Sequence, residues 1–165
     1  MKIASWNVNS LKVRLPQVLD WINLNQPDVL CLQETKQNND NFPHDVFEKR
    51  GLYSYHNGQN TYNGVAIISN KELIDVQFDI PNFYDEQKRL ISGIYPNDED
   101  PKFRVISAYI PNGQSLNSDK FEYKMNWLKS FINFLQTKID GIENIITGDF
   151  NIAPSTIDCY DSKSW

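Results

Sequence analysis

The alternation of apolar and polar positions predicts a β-α-β unit at the start of the chain. Lys2–Trp6 alternates as a strand does, and the continuous apolar run Asp28–Leu32 predicts a second, buried strand. A helix is predicted between them from helically spaced apolar residues, a proline suited to its first turn and a proline that ends it: Leu15, Val18, Leu19, Ile22, Pro16 and Pro27. Such a crossover makes the two strands parallel. Asn7 and Glu34, which follow the strands, are therefore expected at the same edge of the sheet.

The middle of the chain predicts short strands joined by turns. Residues Phe42–Arg50 have helical character, and the strands predicted after them are Tyr53–His56, Val65–Ser69, Ile74–Ile80, Arg89–Tyr95 and Phe103–Ile110. Asn63-Gly64 predicts a hairpin between the first two of these strands. The acidic run Asn97–Pro101 predicts a solvated turn between the last two.

A second β-α-β unit is predicted from Ser107 to Asn151. Its helix runs from about Ser118, a suitable N-cap, to Ile139, and Gly141 can close it. The apolar stripe of that helix is interpreted as core and comprises Phe121, Met125, Leu128, Phe131, Ile132, Leu135 and Ile139. An apolar strand that ends in Gly148-Asp149 completes the unit.

Composition indicates one globular domain. The 165 residues are 40% hydrophobic and 22% charged, which is enough for a sizeable core. The net charge of −5 argues against a nucleic-acid binder that works by bulk positive charge, but a bound divalent cation can meet phosphate locally, so a nuclease is not excluded. The sequence has no leader pattern and no apolar stretch near about 18 residues, and Cys31 and Cys159 have no metal-ligand spacing. A reduced, cytoplasmic protein with no membrane partner is the expectation.

Oxygen-bearing side chains follow four of the predicted strands. They are Asn7, Glu34, Tyr109 and the pair Asp149 with Asn151. Each could be a turn or surface residue by itself, but ligands of α/β sheets collect outside the carboxyl ends of strands, and the shared placement favours a site. Two carboxylates with amides and no nearby histidine predict a hard cation, Mg²⁺ or Mn²⁺, rather than zinc. The chemistry indicated is hydrolysis of a phosphodiester or a phosphomonoester.

Basic and imidazole side chains give weaker signals. Lys36, Lys88 and Arg89 lie at predicted strand edges and can contact phosphate, with solvated surface charge as an equal alternative for each. His44 and His56 fall in loop-like stretches away from the strand ends. Both are interpreted as surface or hydrogen-bonded loop histidines without a catalytic role.

Four segments carry a family resemblance: Met1–Leu11, Leu32–Lys36, Tyr109–Gly113 and Gly148–Pro154. In order and spacing they resemble the exonuclease III class of AP endonucleases, within the endonuclease/exonuclease/phosphatase superfamily. The resemblance covers essentially the whole chain and implies an α/β fold, a four-layer α/β sandwich with mixed β-sheets. It also implies Mg²⁺-dependent hydrolysis of double-stranded DNA in base-excision repair, by 3′-to-5′ exonuclease, 3′-phosphatase and abasic-site cleavage.

The resemblance also implies a role for each matching residue. Glu34 would bind the metal, with Asn7 as the second metal-site residue beside it. Tyr109 would contact the scissile phosphate, Asp149 would orient or activate the attacking water, and Asn151 would hold the phosphate and assist Asp149. Arg89 matches a basic position that lies close to DNA in the family, and together with Lys36, the phosphate contact suggested by its place at a strand edge, it is a predicted substrate-binding residue.

The family's pattern continues past Trp165. The Asn-x-x-x-Arg-Ile-Asp-type strand and the terminal Ser-Asp-His of the family are missing, and no motif replaces that histidine. The expectation is a single incomplete nuclease domain over residues 1–165, about the first half or more of the sandwich, with impaired activity and uncovered apolar surface. A second polypeptide that supplies the remaining half is a candidate partner. Two alternatives stay open, namely a non-catalytic remnant that binds a partner, and a lipid or inositol phosphoesterase of the same superfamily.

Overall fold

The computed structural model describes residues 1–96, 103–137 and 142–161. Its helices are α1 (Leu11–Asn25), α2 (His44–Glu48) and α3 (Asp119–Gln136), with short 3₁₀ turns at Asn39–Asn41 and Thr156–Asp158. Its strands are β1 (Ile3–Asn7), β2 (Val29–Gln33), β3 (Tyr53–Asn57), β4 (Val65–Ser69), β5 (Ile74–Phe78), β6 (Leu90–Tyr95), β7 (Phe103–Tyr109) and β8 (Glu143–Asp149). The predicted order of elements is therefore confirmed within the described residues.

The strands form two mixed sheets. One has the order β1-β2-β4-β3 and the other β5-β6-β7-β8. The two predicted parallel pairs are confirmed, since β1 runs parallel to β2 with Asn7 opposite Gln33, and β7 runs parallel to β8 with Tyr109 opposite Asp149. The hairpin predicted at Asn63-Gly64 is also confirmed, because β3 and β4 pair in antiparallel fashion around that loop.

Alternating side chains of the strands build four layers. In β2, Leu30 and Leu32 pack with α1, whereas Val29 and Cys31 pack against the second sheet. The outer face of the second sheet then packs on α3, where Trp127 and Phe131 meet Ile106 and Ala108 of β7. The order helix, sheet, sheet, helix confirms the predicted four-layer sandwich. Because β1 and β2 in one sheet and β7 and β8 in the other end at the same edge, their polar tips converge there.

The buried face of α3 differs from the predicted stripe. Met125 and Ile132, predicted as core, are 49% and 52% exposed, so that prediction is wrong for both. Trp127 is buried instead and packs on Phe131 with ring centroids 5.1 Å apart. The face of α3 that carries Trp127 packs on the sheet, and the face that carries Met125 and Ile132 points away from it. Burying the indole removes more apolar area from water than burying either aliphatic side chain. The predicted core residue Ile139 lies outside the described residues.

Two helix boundaries also differ from their predictions. Helix α1 begins at Leu11, so Pro16 lies in its second turn and not in its first. Because proline has no backbone N–H, Pro16 cannot donate the helical hydrogen bond to the carbonyl of Lys12. The segment predicted as a helix from Phe42 to Arg50 forms only the five-residue α2, which follows Pro43. The predicted acidic turn at 97–101 and the predicted end of the long helix at 139–141 both lie outside the described residues.

His56 differs from its prediction too. It lies in β3, within the predicted strand Tyr53–His56, and its side chain is buried, so its interpretation as a loop histidine is wrong. The same interpretation is wrong for His44, which is the first residue of α2. Within the part of the chain that the structure describes, no helix is long and apolar enough to cross a membrane.

Candidate active site

The side chain of Asn7 joins two carboxylates that come from different sheets. Its Nδ2 donates to Glu34 Oε1 and to Asp149 Oδ2, each at 2.8 Å. Its Oδ1 accepts from the backbone N–H of Asn9 at 3.0 Å. Although Asn7 and Asp149 are 142 positions apart in sequence, the structure brings them into one cluster at the sheet edge where they were predicted.

Glu34 is held in its ionised form by its neighbours. Lys36 Nζ lies 3.0 Å from Glu34 Oε2, and Lys36 also donates to the side chain of Asn9. Burial works against the charged carboxylate, but hydrogen bonds from Asn7, Lys36 and Tyr109 outweigh it, so the pKa of Glu34 lies below its usual value. Glu34 is therefore an anionic oxygen donor at neutral pH.

Tyr109 lies between Glu34 and a guanidinium group. Burial raises the pKa of Tyr109 to about 12, and the nearby Glu34 carboxylate adds to the effect. Arg89 covers the phenol ring, with its guanidinium carbon 4.7 Å from the ring centroid, and donates to the backbone carbonyl of Tyr109 at 3.1 Å. Two further nitrogens of Arg89 donate to Gln87 at 2.9 and 2.7 Å. Tyr109 thus stays a protonated hydrogen-bond donor, and Arg89 supports it.

Asp149 and Asn151 form a tight turn just after β8. The backbone N–H of Asn151 donates to Asp149 Oδ1 at 3.1 Å, and its side-chain Nδ2 donates to the carbonyl of Ile110 at 2.9 Å. Asn151 has a positive φ of 48°, a conformation that asparagine tolerates better than most residues. Asn151 therefore presents a backbone donor to Asp149 while its amide fastens the turn to the end of β7.

Lys124 is a site residue that sequence reasoning missed. It projects from α3 and its Nζ donates to the backbone carbonyl of Asn151 at 2.7 Å. Burial lowers the pKa of Lys124, and the charge of Asp149 opposes that change. No motif marks this lysine, since along a helix it reads as one of several solvated charges.

A polar bridge between the sheets lies beneath the carboxylates. Gln33 Nε2 donates to Ser107 Oγ at 3.1 Å and to Ser5 Oγ at 3.2 Å, and Ser107 Oγ donates to the carbonyl of Leu32. Gln33 and Ser5 also line a cleft between β1 and β8 together with Asn7, Asp149 and Asn151. The cleft gives a substrate group access to the oxygen-bearing cluster.

The remaining predicted residues have other partners. Lys88, considered as a phosphate contact, forms an ion pair with Asp79 at 2.8 Å. His44 Nδ1 is hydrogen-bonded to Ser54 Oγ at 2.7 Å, and His56 Nε2 is hydrogen-bonded to Thr35 Oγ1 at 2.9 Å.

The donor set fits a hard divalent cation held by few protein ligands. Among the described residues, no group of three or more His, Cys, Asp or Glu side chains is placed to hold a metal ion. Two carboxylates beside amide oxygens are nevertheless the ligands that Mg²⁺ prefers, because it keeps several waters and completes its shell with substrate phosphate. Glu34 is the best-placed ligand. The Asn7 oxygen accepts one hydrogen bond, from Asn9, and keeps a second lone pair that could join the ligand set.

Comparison with known proteins gives concordant matches. Residues 4–164 match the Endonuclease/Exonuclease/phosphatase family. The chain is 34% identical to exodeoxyribonuclease III of Haemophilus influenzae over 164 residues, which is 96% of this chain and 60% of that protein. It also resembles the solved structure of the 3′ phosphatase NExo from Neisseria bound to a product DNA hairpin, at 42% identity and a TM-score of 0.92, over 100% of this chain and 63% of that one. An AP endonuclease structure from Archaeoglobus fulgidus matches at 36% identity and a TM-score of 0.89, over 99% of this chain and 63% of that one.

Proposed function

Since the chain belongs to the endonuclease/exonuclease/phosphatase family, we propose that it carries a site for hydrolysis of phosphodiester bonds in DNA. The proposed activities are those of an exodeoxyribonuclease III or AP endonuclease: 3′-to-5′ exonuclease, 3′-phosphatase and cleavage at abasic sites during base-excision repair. The proposed substrate is double-stranded DNA with an abasic site or a 3′ end. The chain spans 60% of the H. influenzae relative's length, so the activity of the whole relative is transferred here as a proposal.

The observation that carries the proposal is the Asn7 bridge. Asn7 Nδ2 contacts Glu34 and Asp149 at 2.8 Å each, so side chains at the ends of three strands meet at one point, and Asn7 and Asp149 line the cleft. Keeping two like charges close together in a folded protein disfavours the ionised pair unless a donor or a cation lies between them. A donor held between two carboxylates at a cleft is suited to chemistry at a phosphate, which is why we propose a catalytic purpose for it.

Each residue of the cluster has a proposed role. Glu34 holds a cation and Asn7 keeps the two carboxylates in register. Asp149 orients the attacking water and accepts its proton, with the backbone N–H of Asn151 bonded to its other oxygen. Tyr109, protonated up to a pH of about 12, donates to a non-bridging phosphoryl oxygen. Asn151 is proposed to hold the same phosphate.

Cations of the chain and a metal ion would neutralise the phosphate. Lys36 and Arg89 are proposed to bind substrate phosphates, Lys36 from beside Glu34 and Arg89 from behind the Tyr109 ring. The proposed cofactor is Mg²⁺, with Mn²⁺ as a substitute, and when bound at Glu34 it would offset phosphate charge in the transition state.

The test is cleavage of DNA by the purified chain and two variants. We expect Mg²⁺-dependent nicking of an abasic duplex and release of phosphate from a 3′-phosphate end, both abolished by EDTA. Glu34→Gln and Asp149→Asn should each lower the rate by about a hundredfold or more, the size of a lost ligand or general base. Asp45→Asn is the matched control. Asp45 is an exposed carboxylate in α2, and its ion pair is with Lys49 and not with a residue of the cluster.

Two results would contradict the proposal. Equal losses in Asp45→Asn and Asp149→Asn would show that the carboxylate cluster has no special role. Release of phosphate from inositol lipids without action on DNA would favour the lipid or inositol phosphoesterase alternative, and DNA binding without hydrolysis of any phosphate ester would favour the non-catalytic remnant.

We also propose that the 165-residue chain is less active than its longer relatives. Neither of its two histidines is bonded to a carboxylate of the cluster, since His44 bonds to Ser54 and His56 to Thr35. A second polypeptide that adds a histidine and further carboxylates would raise the rate. Titrating the chain with the remaining part of the H. influenzae relative, and measuring nicking, tests this point.

A further inference from the structure

A buried threonine–histidine pair lies directly under the turn that carries Glu34. Thr35 Oγ1 and His56 Nε2 are 2.9 Å apart, and both side chains are buried. The ring of Phe42 stacks on the imidazole, with centroids 4.2 Å apart and planes 20° from parallel. The pair joins the end of β2 to β3, which lies two strands away in the same sheet.

The turn above the pair has an unfavourable backbone. Glu34 and Lys36 both adopt positive φ, at 55° and 53°, although neither is glycine. A positive φ is unfavourable for residues other than glycine and persists only where surrounding contacts determine the conformation. Thr35 lies between the two residues, and its buried side chain contacts His56.

Backbone hydrogen bonds hold the turn on two sides. The N–H groups of Thr35 and Lys36 donate to the carbonyls of Gly64 and Asn63, at 3.1 and 3.0 Å. On the other side, the carbonyl of Thr35 accepts from the N–H of Leu11 at 3.0 Å. The side chain of Thr35 adds the third attachment, to His56. The Thr35–His56 bond is thus a buried side-chain link that adds to the backbone bonds of the turn, while Asn7 and Lys36 contact the Glu34 carboxylate itself.

The loop that closes over the pair leaves no spare room. Gly64 has a φ of +89°, and a Cβ at that position would lie 2.1 Å from Thr35 Oγ1. A larger residue at position 64 would therefore have to push the hydroxyl away from His56. Burial also lowers the pKa of His56 to about 3, so the imidazole is neutral at working pH and is a hydrogen-bond partner rather than an acid or base.

We propose that Thr35 and His56 are positioning residues that hold the Glu34 carboxylate in the direction required for cation binding. The inference rests on the proposed function only for the identity of the cation ligand. The geometric part concerns the turn itself, namely that the Thr35–His56 bond holds Glu34 and Lys36 in their positive-φ conformations.

The experiment compares two deletions of the hydrogen bond with two variants that keep it. Thr35→Val and His56→Phe preserve shape and the stack on Phe42 but remove the bond, whereas Thr35→Ser and His56→Gln retain a polar partner. His44→Phe is the matched control, since His44 is an exposed histidine that bonds to Ser54. The readouts on the full chain are amide hydrogen exchange at Thr35 and Lys36, and Mn²⁺ affinity by water-proton relaxation.

We expect Thr35→Val and His56→Phe to speed exchange at these two amides and to weaken Mn²⁺ binding by about tenfold, as loss of a group supporting a metal ligand does. Thr35→Ser, His56→Gln and His44→Phe should stay near the wild-type values. The double variant Thr35→Val/His56→Phe should lose no more than either single variant, because both delete one shared bond.

Four results separate failure of this inference from failure of the proposed function. Unchanged exchange at Thr35 and Lys36 in both deletion variants would overturn the positioning role, and so would faster exchange spread evenly over the molecule. Equal Mn²⁺ affinity in Thr35→Val and Thr35→Ser would overturn it as well. A wild-type chain that binds no Mn²⁺ and cleaves no DNA would refute the proposed function, while the exchange data would still decide the role of the pair.

Discussion

Strands β2 and β8 present the two carboxylates of the site on similar apolar sequences but in different surroundings. Every residue of β2 is buried, whereas β8 is half-buried or exposed along its length, and Ile146 is 37% exposed. Strand β2 pairs with β1 and β4 and has packed layers on both faces. Strand β8 is the last strand of its sheet and pairs with β7.

The two carboxylates are consequently supported in different ways. Behind Glu34 lies the buried Thr35–His56 bond inside a packed core. Asp149 depends on polar contacts at the cleft surface, from Asn7 and from the N–H of Asn151. A short apolar strand that ends in a carboxylate therefore does not reveal how rigidly the carboxylate is held. Position in the sheet decides that.

The largest expected difference between the two strands is in their contribution to stability. Leu32→Ala, in β2, should lower the free energy of unfolding by about 3 kcal/mol, because it leaves a cavity in a closed core. Ile146→Ala, in β8, should cost less than about 1 kcal/mol, because its side chain is already partly in water. Urea unfolding of both variants measures the contrast. Equal losses would mean that β8 is covered in solution and would break the comparison.

The free energy of unfolding should also depend on pH through His56, which lies in β3 and bonds to Thr35 beyond the end of β2. Its pKa is about 3 in the folded chain and 6.5 ordinarily, so between these values the unfolded chain binds a proton that the folded chain does not. Stability is complete above about pH 6.5 and falls as the pH drops towards 3, by up to about 1.4 kcal/mol per pH unit. At pH 5 the expected loss from this group is about 2 kcal/mol.

Urea midpoints between pH 7 and pH 4 test the acid response. His56→Phe removes the titrating group, so its urea midpoint should change less with pH than that of the wild-type chain. His44→Phe should show the same change of midpoint with pH as the wild-type chain. A slope in His56→Phe as steep as that of the wild-type chain would show that other groups control acid stability.

The smallest expected effect concerns the lysine beside each carboxylate. Lys36 lies 3.0 Å from Glu34, and Lys124 bonds to Asn151 next to Asp149. In metal-free protein, Lys36→Met should raise the pKa of Glu34, because it removes a hydrogen bond and a positive charge that lower it. Lys124→Met should leave that pKa unchanged. Carboxyl ¹³C titration by NMR measures both, and equal shifts would mean that the two sides of the site share one electrostatic field.

The element order was predictable from the sequence, and so was the meeting of Asn7 and Glu34 at one sheet edge. Helical spacing and apolar runs located α1, α3 and the strands, and a β-α-β crossover allows only a parallel pairing in practice, which put Asn7 and Glu34 at one edge. These features are local or depend on chain handedness. They are therefore encoded in short stretches that can be interpreted without knowing what packs against them.

The contacts that turn those residues into a site were not predictable in the same way. No spacing indicates that Asn7 bridges Glu34 and Asp149, that Lys124 reaches Asn151, or that His56 lies buried against Thr35. The exposure of Met125 and Ile132 was missed for the same reason, since helical periodicity defines a stripe but not the rotation that packing selects.

The sequence by itself thus determined which strands end in oxygen-bearing side chains and which pairs of strands run parallel. The tertiary structure decided how the two sheets stack, which carboxylate has a buried support and which lies on an edge strand. The physical reason is the distance along the sequence over which each interaction acts. Backbone periodicity and crossover handedness act within a few turns or one unit, whereas burial, ion pairing and the shift of a pKa depend on groups that are distant in sequence and meet only when the layers pack.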